Sequence, residues 1–111
     1  MATIKSYTDL EQSKVLAEIL PLESADMYWY LATKGNPKAM FNEGYNEYGD
    51  FELPCWSLAA LLDVLPNENM LVKTTDGEYY CLAKDIMTKH YYNPIDACVT
   101  MIEKLHELKI L

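Results

Sequence analysis

The chain has 111 residues, half of them apolar or aromatic, and sets nine lysines and no arginine against seventeen carboxylates, for a formal charge of −8. That length and apolar content fit a single domain spanning residues 1–111 with its own core, and exclude a disordered chain. Guanidinium grips phosphates and carboxylates through two parallel bonds, so its absence, together with the acidity, argues against direct binding of nucleic acid, nucleotide phosphate or acidic lipid. The longest apolar run, near Leu58 to Leu65, is interrupted by Asp63 and too short to cross a bilayer. The N-terminal Met1-Ala2-Thr3-Ile4-Lys5 lacks the apolar centre of a signal peptide, so the expected location is cytoplasmic. Cys55, Cys81 and Cys98 are odd in number and widely spaced, which suits reduced thiols.

The first helix opens at Thr8-Asp9-Leu10-Glu11, which reads as a capping box: Thr8 accepts from the Glu11 amide while the Glu11 carboxylate reaches back. Val15, Leu16, Ile19 and Leu20 form a stripe at helical spacing, and Pro21 stops the helix. Met27 to Thr33 alternates as a strand, with Met27, Trp29 and Leu31 on one face and Tyr28, Tyr30 and Ala32 on the other. After a turn at Lys34-Gly35-Asn36-Pro37, Ala39-Met40-Phe41 begins a returning strand, and the polar stretch from Asn42 to Asp50 reads as a loop.

A second helix is expected after Leu53, with Pro54 at its first position and Pro66 ending it. Trp56, Leu58, Ala59, Ala60, Leu61, Leu62, Val64 and Leu65 leave it almost no polar face, which predicts the central helix of the core. Met70 to Thr75 and Glu78 to Ala83 flank Asp76-Gly77, the signal of a two-residue hairpin turn. Neither face of that hairpin is purely polar, so both are expected to be partly covered. In the last helix Asn93 caps, Pro94 opens and Asp96 sits in the first turn, while Ile95, Cys98, Val99, Ile102 and Leu105 repeat at three- and four-residue steps. Helix, hairpin, helix, hairpin, helix predicts an α+β fold: about three helices with a small antiparallel sheet built from two hairpins.

The segments Tyr7 to Lys14, Leu20 to Met27, Pro54 to Leu62, and Asn93 to Cys98 with Lys104 to Leu108 resemble a recurrent family of small bacterial proteins without an established function. Members of that family are often encoded in prophage-like or other mobile elements. The resemblance implies such an origin and carries no catalytic residues with it.

Cys55 is the candidate for reactivity, since a thiolate near a helix N-terminus gains from unpaired backbone N–H groups. A cysteine nucleophile needs a base, and His90 and His106 are the only histidines. The competing reading, a small buried cysteine beside Trp56, is favoured because nothing local brings either histidine to it. Cys81 and Cys98 occupy apolar periodic positions and read as core. Metal spacing is absent: there is no Cys-x-x-Cys pair or His-Glu-x-x-His helix, and Asn42, Glu43, Asn46, Glu47 and Asp50 lack the order of a calcium loop. Four scattered glycines make no phosphate loop, so no cofactor is expected.

What remains is surface. No basic residue lies between Lys38 and Lys73, and Tyr45 and Tyr48 are interleaved there with Glu43, Glu47, Asp50 and Glu52. Rigid aromatics supply contact area while negative charge steers basic partners, so these six residues are the candidate binding site. The expected function is a non-enzymatic interaction module for a basic protein partner, in its sharpest form a decoy offering carboxylates where a DNA-binding protein expects phosphates. The alternative is a small enzyme using Cys55 or a carboxylate cluster. Homo-oligomers are expected if Tyr28, Trp29 and Tyr30 lie on a sheet face that three short helices leave uncovered.

Overall fold

A computed structural model describes residues 5–30, 38–41 and 52–111 of the chain. Helix α1 spans Leu10–Ile19, and its N-cap is Asp9 rather than Thr8. The Asp9 carboxylate accepts from the Gln12 amide at 2.8 Å and the Gln12 side chain accepts from the Asp9 amide at 3.1 Å, so the capping box exists one residue later than expected. Thr8 is displaced from that role because its hydroxyl faces inward, as described below. Leu16 and Leu20 are buried, whereas Val15, expected on the same stripe, is 42% exposed.

After a 3₁₀ turn at Leu22–Ser24, β1 (Met27–Tyr30) forms the centre of an antiparallel sheet, flanked by β2 (Lys38–Phe41) and β3 (Glu52–Cys55). The returning strand at β2 is as expected, with Met27 opposite Phe41 and Tyr30 opposite Lys38. The far end of the expected first strand, Leu31 to Thr33, and the Asn42 to Asp50 stretch lie outside the described residues. The third strand corrects the reading of Pro54. It lies opposite Tyr28 in an edge strand, where a missing N–H is tolerated, instead of opening the second helix. Helix α2 starts later, at Leu58–Val64, capped by Ser57, whose hydroxyl accepts from the Ala60 amide.

The second sheet is a separate antiparallel meander of β4 (Met70–Lys73), β5 (Tyr79–Ala83) and β6 (Ile86–Met87). The expected hairpin is present, with a three-residue turn instead of a two-residue one. The Gly77 amide donates to the Thr74 carbonyl at 3.1 Å and the Thr74 amide to the Glu78 carbonyl at 2.7 Å. Gly77 takes φ +83°, the left-handed conformation that closes a type I turn with a bulge and that only glycine adopts without strain. The next turn, Lys84-Asp85, places both residues at positive φ, 51° and 64°, between the paired Ala83 and Ile86. Beyond β6 the chain keeps running beside β5: Tyr79 and Tyr91 exchange backbone hydrogen bonds of 2.6 and 2.8 Å.

Helix α3 (Pro94–Glu107) is capped by Asn93, whose side chain accepts from the Ile95 amide at 2.9 Å, as the sequence predicts. It, and not α2, is the central helix. Ile95, Ala97, Cys98, Met101, Ile102 and Leu105 are each 0% exposed, whereas in α2 only Leu61 is fully buried and Ala59 and Asp63 face solvent. The reason is length: seven residues of α2 present two turns to the core, while fourteen of α3 run under β4 and β5 and meet both α1 and α2. The α+β class stands, with three α-helices and, in place of one sheet, two three-stranded sheets among the described residues.

Candidate functional site

Of the six residues selected from the sequence, Glu43, Tyr45, Glu47, Tyr48 and Asp50 lie outside the described residues. Glu52 begins β3, opposite Tyr30 of β1. The other selected position, Cys55, sits at the far end of β3 and opens on a cluster that sequence reasoning did not anticipate.

Thr8 is the centre of that cluster and is fully buried. Its amide donates to the Trp56 carbonyl at 2.9 Å, and the Trp56 amide donates back to the Thr8 hydroxyl at 3.2 Å. The hydroxyl pairs with Ser13 Oγ at 2.7 Å and donates to Cys55 Sγ at 3.6 Å. The Thr8 carbonyl accepts the Cys55 thiol at 3.5 Å and the indole Nε1 of Trp29 at 3.1 Å. Tyr7 meets Trp29 edge to face with ring centroids 5.7 Å apart. One threonine thereby ties the N-terminal segment to α1, β1 and β3 with its hydrogen-bonding capacity saturated.

A second knot lies beside it. Asp26, just before β1, accepts from the Ser57 amide at 2.9 Å and from the Ser57 hydroxyl. The Leu58 amide donates to the Ser6 carbonyl at 3.1 Å, so the start of α2 is fastened to the N-terminal segment as well. The fully buried Trp56 donates Nε1 to Ser24 Oγ at 2.9 Å, and Ser24 donates in turn to the Pro21 carbonyl at 2.5 Å. On the surface above, Lys5 Nζ reaches Asp96 at 2.7 Å, Asp9 at 3.1 Å and Gln12 at 3.2 Å, linking the first turns of α1 and α3. Gln12 Nε2 completes that link to Asp96 at 2.7 Å.

These environments decide what Cys55 can do. It is 0% exposed, and burial raises its thiol pKa above the ordinary value despite the bonds to the Thr8 and Ser13 hydroxyls. It lies in a strand, before the Ser57 cap, rather than at a helix N-terminus. His90 stacks on Tyr80 of the second sheet at 4.8 Å, and the His106 ring sits 3.3 Å from the Leu111 carbonyl oxygen, so each histidine is engaged elsewhere. Cys55 is a fully buried thiol next to Trp56, as in the reading that the sequence favoured. Cys81 and Cys98 are likewise fully buried, in the core formed by β5 and α3. The hydrogen bond to Cys81, reinforced by burial, pushes the Cys98 thiol far above its usual range.

Among the described residues no group of three or more His, Cys, Asp and Glu is placed to hold a metal ion. No helix among them is long and apolar enough to cross a membrane. A cleft of about 410 Å³ lined by Asn67, Glu68, Leu82, Ala83, Lys84 and Asp85 opens beside the β5–β6 turn. Its lining includes one lysine and two carboxylates and no serine, threonine, cysteine or histidine.

The residues missed from sequence are Thr8, Ser13, Asp26 and Ser57. Ser13 carried the usable signal: it falls three residues before Leu16 and seven before Leu20, on the buried stripe of α1, where a polar group needs a partner. No family model, curated protein or solved structure matches this chain.

Proposed function

We propose that this chain is a non-enzymatic protein-interaction module of mobile-element origin, acting in the cytoplasm on a basic protein partner. The observation that carries the reading is the separation of charge along the chain. No basic residue lies between Lys38 and Lys73, and six carboxylates do, four of them (Glu43, Glu47, Asp50 and Glu52) in one stretch with Tyr45 and Tyr48. Such a segment raises the encounter rate with a basic surface and offers aromatic area to hold it. A partner that normally grips DNA phosphates meets carboxylates in their place, which makes the module a decoy. The engagement of the interior polar groups with one another supports this reading, because Thr8, Ser13, Cys55, Asp26 and Ser57 are already committed to joining elements.

The test is capture from a nuclease-treated cell lysate on the immobilised protein, followed by elution with duplex DNA. A basic protein released by DNA, and not retained by a variant with Glu43→Lys, Glu47→Lys, Asp50→Lys and Glu52→Lys, is the expected result. Equal capture by both proteins, or release by salt alone and never by DNA, overturns the decoy.

A further inference from the structure

Opposite residues in an antiparallel pair share a face, so the register of the second sheet divides its side chains cleanly. Leu71, Cys81, Ala83 and Ile86 point toward α3 and the core. Met70, Val72, Tyr80, Leu82 and Met87 form the other face. None of these five is charged, yet Met70 is 56% and Met87 59% exposed, and the three between them are half-buried with no described helix over them. His90, stacked on Tyr80, extends the surface.

We infer that this outward face is where a second copy of the chain packs, sheet against sheet, about a two-fold axis. The choice of occupant rests on charge. From Asn69 to Asn93 the chain carries Lys73, Lys84 and Lys89 against Asp76, Glu78 and Asp85, a balance of three and three, while the remainder holds the entire formal charge of −8. Two copies of so acidic a chain repel one another wherever carboxylates are in excess, and over this sheet the local charge is balanced. Both ends of the sheet carry both signs, Lys73 with Asp76 and Glu78 at one turn and Lys84 with Asp85 at the other, so the rim of one copy finds opposite charges on its mate. A basic partner, by contrast, is steered to the acidic remainder and away from this neutral face. The first sheet is the poorer candidate for self-association because Trp29 is held by Tyr7 and by the Thr8 carbonyl. Five side chains fall short of the roughly 800 Å² per partner of a tight complex, so the dimer is concentration-dependent, not obligate.

Sedimentation velocity on the full chain from about 5 to about 500 µM, a range that brackets weak association, tests this. The wild type is expected to pass from monomer to dimer, and Met70→Asp and Met87→Asp each to weaken the dimer at least tenfold. Leu22→Asp, at an apolar side chain 60% exposed elsewhere on the molecule, is expected to leave it unchanged. Hydrogen exchange on the unmutated protein supplies the second measurement: protection should rise with concentration in β4 to β6 and not in α1. A wild type that stays monomeric throughout, a dimer undiminished by both aspartates, or concentration-dependent protection confined to other elements overturns the inference. The four-lysine variant separates the two proposals, since it is expected to lose the basic partner and keep the dimer.

Discussion

The two sheets are alike in size and differ in what chiefly holds them. The first is fastened by hydrogen bonds: Thr8 and Asp26 bind the N-terminal segment, β1, β3 and the start of α2 through groups whose partners are each specified. The second is fastened chiefly by packing, with Leu71, Cys81, Ala83 and Ile86 in one apolar cluster with Ile95, Cys98, Val99 and Ile102 of α3. Among the described residues it has fewer side-chain hydrogen bonds, one of them from the Cys81 amide to the Thr88 hydroxyl. Hydrogen bonds are directional and punish a single missing partner, while apolar contact scales with area and tolerates changes that conserve volume. The first sheet therefore has its geometry dictated residue by residue. The second can carry an apolar outer face, because its inner face alone secures it.

Several substitutions and measurements sharpen this contrast. The largest expected effect is kinetic. All three thiols are fully buried, in both regions, so maleimide labelling of the folded protein should run about three orders of magnitude slower than in denaturant, set by the free energy of opening. Fast labelling of Cys55 alone would show that the hydrogen-bonded side opens by itself. In the packed region, Ile102→Ala should lower stability by about 3–4 kcal/mol in chemical denaturation, and Ile102→Val by about 1 kcal/mol. In the hydrogen-bonded region the isosteric Thr8→Val should cost about 2–3 kcal/mol, because it strands the Trp56 amide and the Ser13 hydroxyl. Thr8→Ser should recover most of that loss. Equal tolerance of Val and Ser at Thr8 would erase the distinction between the two sheets. Ser57→Ala should cost about 1–2 kcal/mol, through the lost cap of α2 and the partner taken from Asp26.

The smallest effect belongs to the Lys5 network at the surface. For Asp9, burial works to raise the pKa, but the bonds accepted from the Gln12 amide and Lys5 outweigh it and hold the carboxyl below its ordinary value. Its contribution is therefore full above the unfolded pKa near 3.8 and is lost as pH falls through the lower folded value. For Lys5, burial works downward and is outweighed by Asp96 and Asp9, leaving the ammonium above 10.5, so its contribution fades only as pH rises through that folded value. Both groups are partly exposed, so the expected signature is a shallow loss of melting temperature at each extreme. In Lys5→Met the alkaline loss should be absent and the acid loss reduced, since the Gln12 amide still holds Asp9.

Local patterns were enough to place α1, α3 and the β4–β5 hairpin, because a capped amphipathic helix and an Asp-Gly turn are specified by neighbours within a few residues. They also served for the α+β class and for Cys55 as a buried thiol. They misled at Pro54, where the same ring that suits a helix start suits an edge strand, and at α2, where apolar composition outweighed the shortness of the element. The β5–β6 turn escaped notice because Lys84-Asp85 offers no glycine to announce its positive φ. Tertiary structure alone decided the rest. It made Thr8 an interior hub instead of a cap and brought Ser57 to Asp26 across thirty-one residues. Among the described residues it covered one face of the second sheet with α3 and left Met70 and Met87 exposed on the other. Each depends on which distant group arrives at a given side chain, and periodicity within one element holds no information about that.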